Sequence, residues 1–169
     1  ITGDKAGRPI IPGAQLADVP GGALFGTIAF LGALEARHRT GKGAYIDMSM
    51  TDCSLALITQ YLTQFGADGI TPGPRTMPLN GLNPCYNVYR TKDGRYMSVG
   101  ALEPKFWEAF CRAVGKPDWI GDAFPTPDQR EAVIDRVEKL FETRTQAEWV
   151  QLLSNVDCCC EPVLQFPEV

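Results

Sequence analysis

The sequence predicts a mixed α/β chain built from two units, a helix–strand–helix segment and a small α+β domain, joined by a connector rich in Pro and Gly. Three observations carry this expectation. A long apolar stretch seeded with small residues begins just after Asp18-Val19-Pro20. Between 66 and 84, Pro72, Pro74, Pro78 and Pro84 alternate with Gly66, Gly69, Gly73 and Gly81. Beyond them, two short β-rich runs flank Lys92-Asp93-Gly94 and give way to helical periodicity. The expected boundaries are 1–65 for the first unit, 66–84 for the connector and 85–169 for the small domain.

In order along the chain, residues 1–17 are rich in Gly and Pro and read as loop. Asp18 and Pro20 give an acidic cap and an early proline, so a helix is expected from 18 to about 39. Its Gly22, Ala23, Gly26, Ala29, Gly32, Ala33 and Ala36 suit close packing against another backbone, and Arg37, His38 and Arg39 answer the negative end of its dipole. Thr40-Gly41-Lys42-Gly43 is a tight turn, residues 44–48 a short strand, and a second helix is expected from Asp52 to about Gly66. A hairpin follows, with strands at 86–90 and 96–99. Helices are expected over 104–114, with Phe106, Phe110 and Val114 on one stripe, over 128–142, and over 146–153. Phe106, Phe110, Val137, Phe141 and Trp149 are the expected core of the small domain.

Composition bounds the function. The chain has 169 residues, is 44% apolar and 21% charged, and can bury roughly two thirds of its unfolded surface, which argues against disorder. A net charge of −4 excludes a nucleic-acid footprint. The longest apolar run, 23–34, falls short of the ~20 residues that span a bilayer, and no signal-peptide flanks surround it, so no membrane partner is expected. Six cysteines include no CxxC pair and the only histidine is His38, so no metal site is expected and reduced thiols in the cytoplasm are the natural reading. The opening Ile1-Thr2-Gly3 and the closing Pro167-Glu168-Val169 read as cuts through a longer protein. Gly41-Lys42 does not complete a phosphate loop, and neither a GxGxxG after a strand nor a GxSxG elbow is present.

Two carboxylates stand out. Asp18, at a helix start, would be held ionised by backbone N–H groups, and Gly21 and Gly22 after it would let a substrate approach the backbone; the structural alternative is a plain N-cap. Glu103, between a strand and a helix, has the same alternative. Tyr86 opens the hairpin, where a core role is the commoner one. Arg39 and Lys42, with Arg37, could meet a phosphate, although a solvated helix end explains them too. Asp47 and Asp52 read as structural polar groups, and Cys158 to Cys160 as small buried apolar residues. Two helix-end carboxylates in two units are compatible with acid–base or carboxylate-nucleophile chemistry in a cleft.

The words Asp18-Val-Pro-Gly-Gly-Ala, Arg39-Thr-Gly-Lys-Gly-Ala-Tyr-Ile-Asp-Met-Ser-Met-Thr-Asp, Tyr86-Asn-Val-Tyr-Arg-Thr-Lys-Asp-Gly-Arg-Tyr-Met-Ser-Val-Gly, Ala101-Leu-Glu-Pro-Lys-Phe-Trp and Glu161-Pro-Val-Leu, in this order, resemble the class III CoA-transferase family (CaiB/BaiF), in particular its α-methylacyl-CoA racemase branch. The resemblance implies a partial fold: the end of a Rossmann-like large domain, the linker and the small α+β domain. It implies that Asp18 is the catalytic carboxylate, that Glu103 supports a catalytic histidine across the cleft, and that Tyr86 lines the same pocket. It implies an acyl-CoA thioester as substrate, no tightly bound cofactor, and an interlocked homodimer. The implied chemistry is removal and return of the α-proton of a 2-methylacyl-CoA. The alternatives are CoA transfer through an acylated Asp18, or a truncated, non-catalytic module that self-associates. The family's histidine belongs upstream of the aspartate, in a segment these 169 residues do not contain. Gly21 and Gly22 are the expected donors to an enolate oxygen, and Arg39 and Lys42 a thin site for the nucleotide end of CoA.

Overall fold

The computed structural model describes residues 2–4 and 6–169. The loop expected over 1–17 includes residues 1 and 5, which lie outside the described residues. The chain forms two compact units, Thr2–Pro72 and Gly73–Val169, and the division falls within the Pro/Gly stretch.

In the first unit the helix does not start at Asp18. Leu16 is its N-cap, and residues Ala17–Leu24 are wound as a π-helix that continues without a break into α1, Phe25–Thr40. Gly21 N–H donates to the Leu16 carbonyl five residues back, at 3.0 Å. Pro20 has no N–H to give, and the wider turn accommodates its ring. The two segments form one 24-residue helix, long and apolar enough to cross a membrane by length and composition, a test that the core helix of a soluble protein passes as well. This differs from the 12-residue apolar run read in the sequence because helix continues on both sides of it. Gly41 at φ 72° ends α1 in the left-handed conformation that glycine adopts without strain.

Residues 44–48 are not a strand. They have no assigned secondary structure and no ladder partner among the described residues, and Tyr45 is 93% exposed. The next helix starts earlier than expected: α2 is Met50–Ala56, capped by Ser49, whose hydroxyl accepts from Asp52 N–H at 3.2 Å. The chain breaks at Leu57-Ile58 and resumes as α3, Thr59–Asp68. The π-helical turn packs on α2, yet little of the unit is buried: Tyr61 is its buried apolar side chain among the described residues, while Ile28, Phe30, Leu31, Leu62 and Phe65 are exposed.

The second unit has a conventional core. Strands β1, Tyr86–Arg90, and β2, Tyr96–Gly100, form the hairpin, with Tyr86 opposite Gly100 and Tyr89 opposite Met97. A third strand, β3, Cys160–Pro162, pairs antiparallel with β2 and gives the order β1-β2-β3. The sequence reading missed it, because Cys-Glu-Pro has little strand character of its own and is held by its partner. Helices α4, Pro104–Ala113, α5, Arg130–Phe141, and α6, Gln146–Leu153, complete the unit, with a 3-10 turn at Pro117–Asp122.

The rings of Tyr89, Phe110 and Trp149 gather around Phe141, with centroids 5.1, 5.7 and 4.9 Å away. Pairs of this kind contribute about 0.5–1.5 kcal/mol each beyond their area. Phe110, Val137, Phe141 and Trp149 are buried as expected. Phe106 is not: it is half-buried under the Lys105 ammonium, and Trp107 takes the inward position on α4. Trp107 can do so because its indole N–H reaches the Trp119 carbonyl at 3.0 Å. Cys158 and Cys160 are buried and Cys159 is exposed, at φ 50°.

Candidate functional site

The pleat of the small sheet sorts its residues. Tyr89, Met97 and Val99 face the core, while Tyr86, Val88, Ser98 and Gly100 point to the opposite face. On that outer face lies a hollow of about 680 Å³ that includes Tyr86, Asn87, Ser98, Gly100, Cys159 and Glu161. Asn87 is locked there, its amide donating to the Gly81 carbonyl at 3.2 Å while its side-chain oxygen accepts from Val88 N–H. The Ser98 hydroxyl donates to the Glu161 carbonyl at 3.0 Å.

Gly100 matters for its missing side chain. A Cβ there would stand 4.0 Å from both the Tyr86 ring and the Cys159 Cβ, so a side chain longer than Ala would crowd the gap between them. Gly100 N–H donates to the Cys159 carbonyl at 2.8 Å, which holds the Cys159 turn against the end of β2. Glu103 follows three residues later as the N-cap of α4. Its backbone carbonyl, not its carboxylate, accepts from Phe106 N–H at 3.0 Å, so the carboxylate is left exposed and uncommitted to the cap. Partial desolvation first, then the negative charges of Asp157 and Glu103, push the Cys159 thiol above its ordinary range. Tyr86, Gly100, Cys159 and Glu103 thus gather at one end of the sheet.

The other expected site residues belong to the first unit. Asp18 lies exposed in the first π-helical turn, one residue beyond the first helical position. It is not an N-cap. Gly21 and Gly22 do not offer open backbone: a Cβ on Gly21 would meet Ser54 Oγ at 2.5 Å, and one on Gly22 would meet Met50 Sδ at 3.3 Å. The space left by their missing side chains is filled by α2. The Gly21 N–H, expected as an enolate donor, is already given to Leu16. Arg39 and Lys42 are exposed at the end of α1, and the 500 Å³ hollow nearby is lined by Arg37 instead. Asp47 is exposed in the segment between α1 and α2, and Asp52 supplies a backbone N–H to the α2 cap. Among the described residues no group of three His, Cys, Asp or Glu side chains could hold a metal ion.

The sequence reading passed over Asn87, Ser98, Cys159 and Glu161. Outward alternation along 96–100 is a signal that could have found Ser98. Cys159 and Glu161 join the face only through β3, which the sequence does not announce.

The sequence profile of CoA-transferase family III matches residues 1–169. The alpha-methylacyl-CoA racemase of Homo sapiens is 36% identical over 169 residues, which are 99% of this chain and 44% of that protein. The succinyl-CoA:glutarate CoA-transferase of Mus musculus is 26% identical over 174 residues, covering 100% of this chain and 39% of that protein. A crystal structure of a hypothetical protein from Mycobacterium tuberculosis superposes with a TM-score of 0.72 at 23% identity, over 98% of this chain and 44% of that one, a likeness of fold. The chain spans under half the length of these relatives.

Proposed function

The chain belongs to CoA-transferase family III, and from that premise we propose that its residues serve the epimerisation of a 2-methylacyl-CoA. What carries the reading is the 36% identity to a racemase along nearly the whole chain, against 26% and 29% to two CoA-transferases. Asp18 takes the α-proton of the thioester. The C–H electron pair moves into the thioester carbonyl and leaves a planar enolate. A proton returned to the same face restores the starting epimer, and one delivered to the opposite face inverts it. Tyr86 lines the acyl side, and Glu103 positions the acid on the second face. Each acid–base group contributes about 10²–10⁴-fold.

That second acid is not His38. The only histidine of the 169 residues lies 20 positions beyond Asp18 on the same helix, about 30 Å along its axis at 1.5 Å per residue. This chain alone is therefore expected to exchange the α-proton with retention, or not to react. The test is a single epimer of a 2-methylacyl-CoA in deuterated water, followed by mass and chiral analysis. Deuterium uptake without inversion that is abolished in Asp18→Asn, or no reaction, is the expected result. Inversion by this chain that persists in Asp18→Asn would overturn the assignment.

CoA transfer is the second reading, favoured by the transferases among the relatives. There the Asp18 carboxylate attacks the thioester carbonyl and the C–S bond breaks, giving a mixed anhydride and CoA thiolate. The thiolate attacks the Asp18 carbonyl and expels the donor as its carboxylate, leaving Asp18 as a CoA thioester. The acceptor carboxylate then displaces the thiolate to form a second anhydride, and the thiolate attacks the acceptor carbonyl, giving the acceptor's CoA thioester and free Asp18. Transfer of CoA to an added carboxylate, with no α-exchange, would select it. We further propose a cytoplasmic homodimer with no tightly bound cofactor. Its dimeric state rests on the exposed apolar side chains of the first unit.

A further inference from the structure

Away from the Tyr86 face, the second unit has a hollow of about 540 Å³ between the 3-10 turn Pro117–Asp122 and one face of α5. That face presents Ala132, Asp135, Arg136, Lys139 and Leu140, the i, i+3, i+4, i+7, i+8 set of a single helix stripe. Lys116 and Trp119 close the other side. We propose that this hollow is a binding site for a small phosphoryl polyanion.

Charge is the first reason. The chain carries a net −4, yet here Lys116, Arg136 and Lys139 converge on one indole and one helix face. The Lys116 ammonium stands 5.7 Å and the Arg136 guanidinium 4.4 Å from the Trp119 ring centroid. Two carboxylates answer the three cations: Asp122 pairs with Arg136, and Asp135 lines the hollow. Lys116 and Lys139 have no ion-pair partner among the described residues. Convergent like charges repel one another, and a multiply charged anion relieves the repulsion.

The setting is the second reason. Trp119, Ala132 and Leu140 give the hollow apolar walls, which strengthen charge interactions above their value in open water. The frame is fixed before any ligand arrives. Trp119 is 7% exposed, its carbonyl holds the Trp107 indole N–H at 3.0 Å, and Lys116 N–H donates to the Cys111 carbonyl at 2.7 Å. The α5 helix anchors its opposite side in the core through Val133, Ile134, Val137 and Phe141. Cations on two elements suit a ligand with several charged oxygens, whereas a single carboxylate brings only one negative charge to them. The net negative charge of the chain disfavours an extended polyanion such as nucleic acid.

Calorimetric titration of the chain at low ionic strength tests the site, with inorganic pyrophosphate in one arm and ADP in the other. One saturable site is expected, weakened about fivefold by Lys116→Ser or by Lys139→Ser, lost in the double variant, and weakened by added salt. Lys92→Ser serves as the remote control, and near-UV dichroism of the variants reports that the tryptophan core is intact. Tighter binding of ADP assigns a nucleotide as the source of the phosphoryl groups; equal or tighter binding of pyrophosphate assigns free phosphate. No saturable binding of either probe up to about 10 mM, or binding unchanged in the double variant, overturns the proposal.

Discussion

At Gly21 a single methyl group decides whether the opening helix can lie on α2. The added Cβ would sit 2.5 Å from Ser54 Oγ and 3.3 Å from the Leu16 carbonyl oxygen. Overpacking of this kind costs about 1–3 kcal/mol, so Gly21→Ala should lower the urea midpoint. Ser54→Ala should be neutral or stabilising by itself, because its buried hydroxyl has no hydrogen-bond partner among the described residues, and it should restore part of the loss in Gly21→Ala. A Gly21→Ala midpoint equal to that of the parent would show that α2 yields freely. Cys159 poses the converse case. At φ 50° it occupies backbone space that favours glycine, so Cys159→Gly should gain about 1 kcal/mol. The buried cysteines differ from it in chemistry as well. Burial raises the Cys158 and Cys85 thiols to about 11 and that of Cys111 to about 12, so none is a thiolate at pH 8. Alkylation of the native chain at that pH, read by peptide mass, should spare these three and reach exposed Cys159.

At the level of elements, α6 shows how local chemistry becomes stability. Thr145 accepts from Glu148 N–H, and the Glu148 carboxylate accepts from Thr145 N–H at 2.7 Å, so Thr145→Ala should cost about 1 kcal/mol. The Thr145 backbone donor, then its hydroxyl, hold the Glu148 carboxyl below its ordinary range. The Thr91 hydroxyl lowers Asp93, and Arg95 lowers Glu168. Each is a depressed folded-state value, so the contribution is present above the unfolded range and is lost as the pH falls through the folded one. Thermal stability should therefore drop below about pH 4, and less steeply in Glu148→Gln than in the parent. The bounds of α6 could be read from the sequence because cap, periodicity and burial agree there. The hairpin was equally plain, with Gly94 at φ 78° in its turn. Where elements depend on partners the sequence was silent or misleading. Nothing in Cys-Glu-Pro marks β3 without β2 beside it, and residues 44–48 have strand composition but no ladder. Asp18 and Pro20 mimic an N-cap signature, yet the π-helical winding moves the cap to Leu16. Of the candidate site, Tyr86 and Glu103 were visible as words, while their link through Gly100 and Cys159 depends on a pairing that no local signal carries.

For the whole molecule, the two units differ in how much each can bury. Gly73–Val169 encloses Trp107, Trp149, Tyr89, Phe110 and Phe141, whereas Thr2–Pro72 leaves Leu24, Ile28, Phe30, Leu31, Leu62 and Phe65 exposed. Burial of one such side chain is worth about 1.5–3 kcal/mol, so the first unit gains far more from covering its surface than the second. Exposed apolar area of that extent drives association unless another surface takes it. The chain should therefore self-associate at micromolar concentration and scatter light with a mass at least twice 18.5 kDa. A fragment of residues 73–169 should remain monomeric, melt cooperatively and keep the near-UV dichroism of its buried tryptophans. The pairing belongs to the first unit if Phe30→Ser and Leu31→Ser in the full chain shift the mass toward the monomer and leave that dichroism unchanged. A monomeric parent chain, or a fragment that associates as strongly as the parent, would place the driving surface elsewhere and remove the physical ground for a dimer built through residues 2–72.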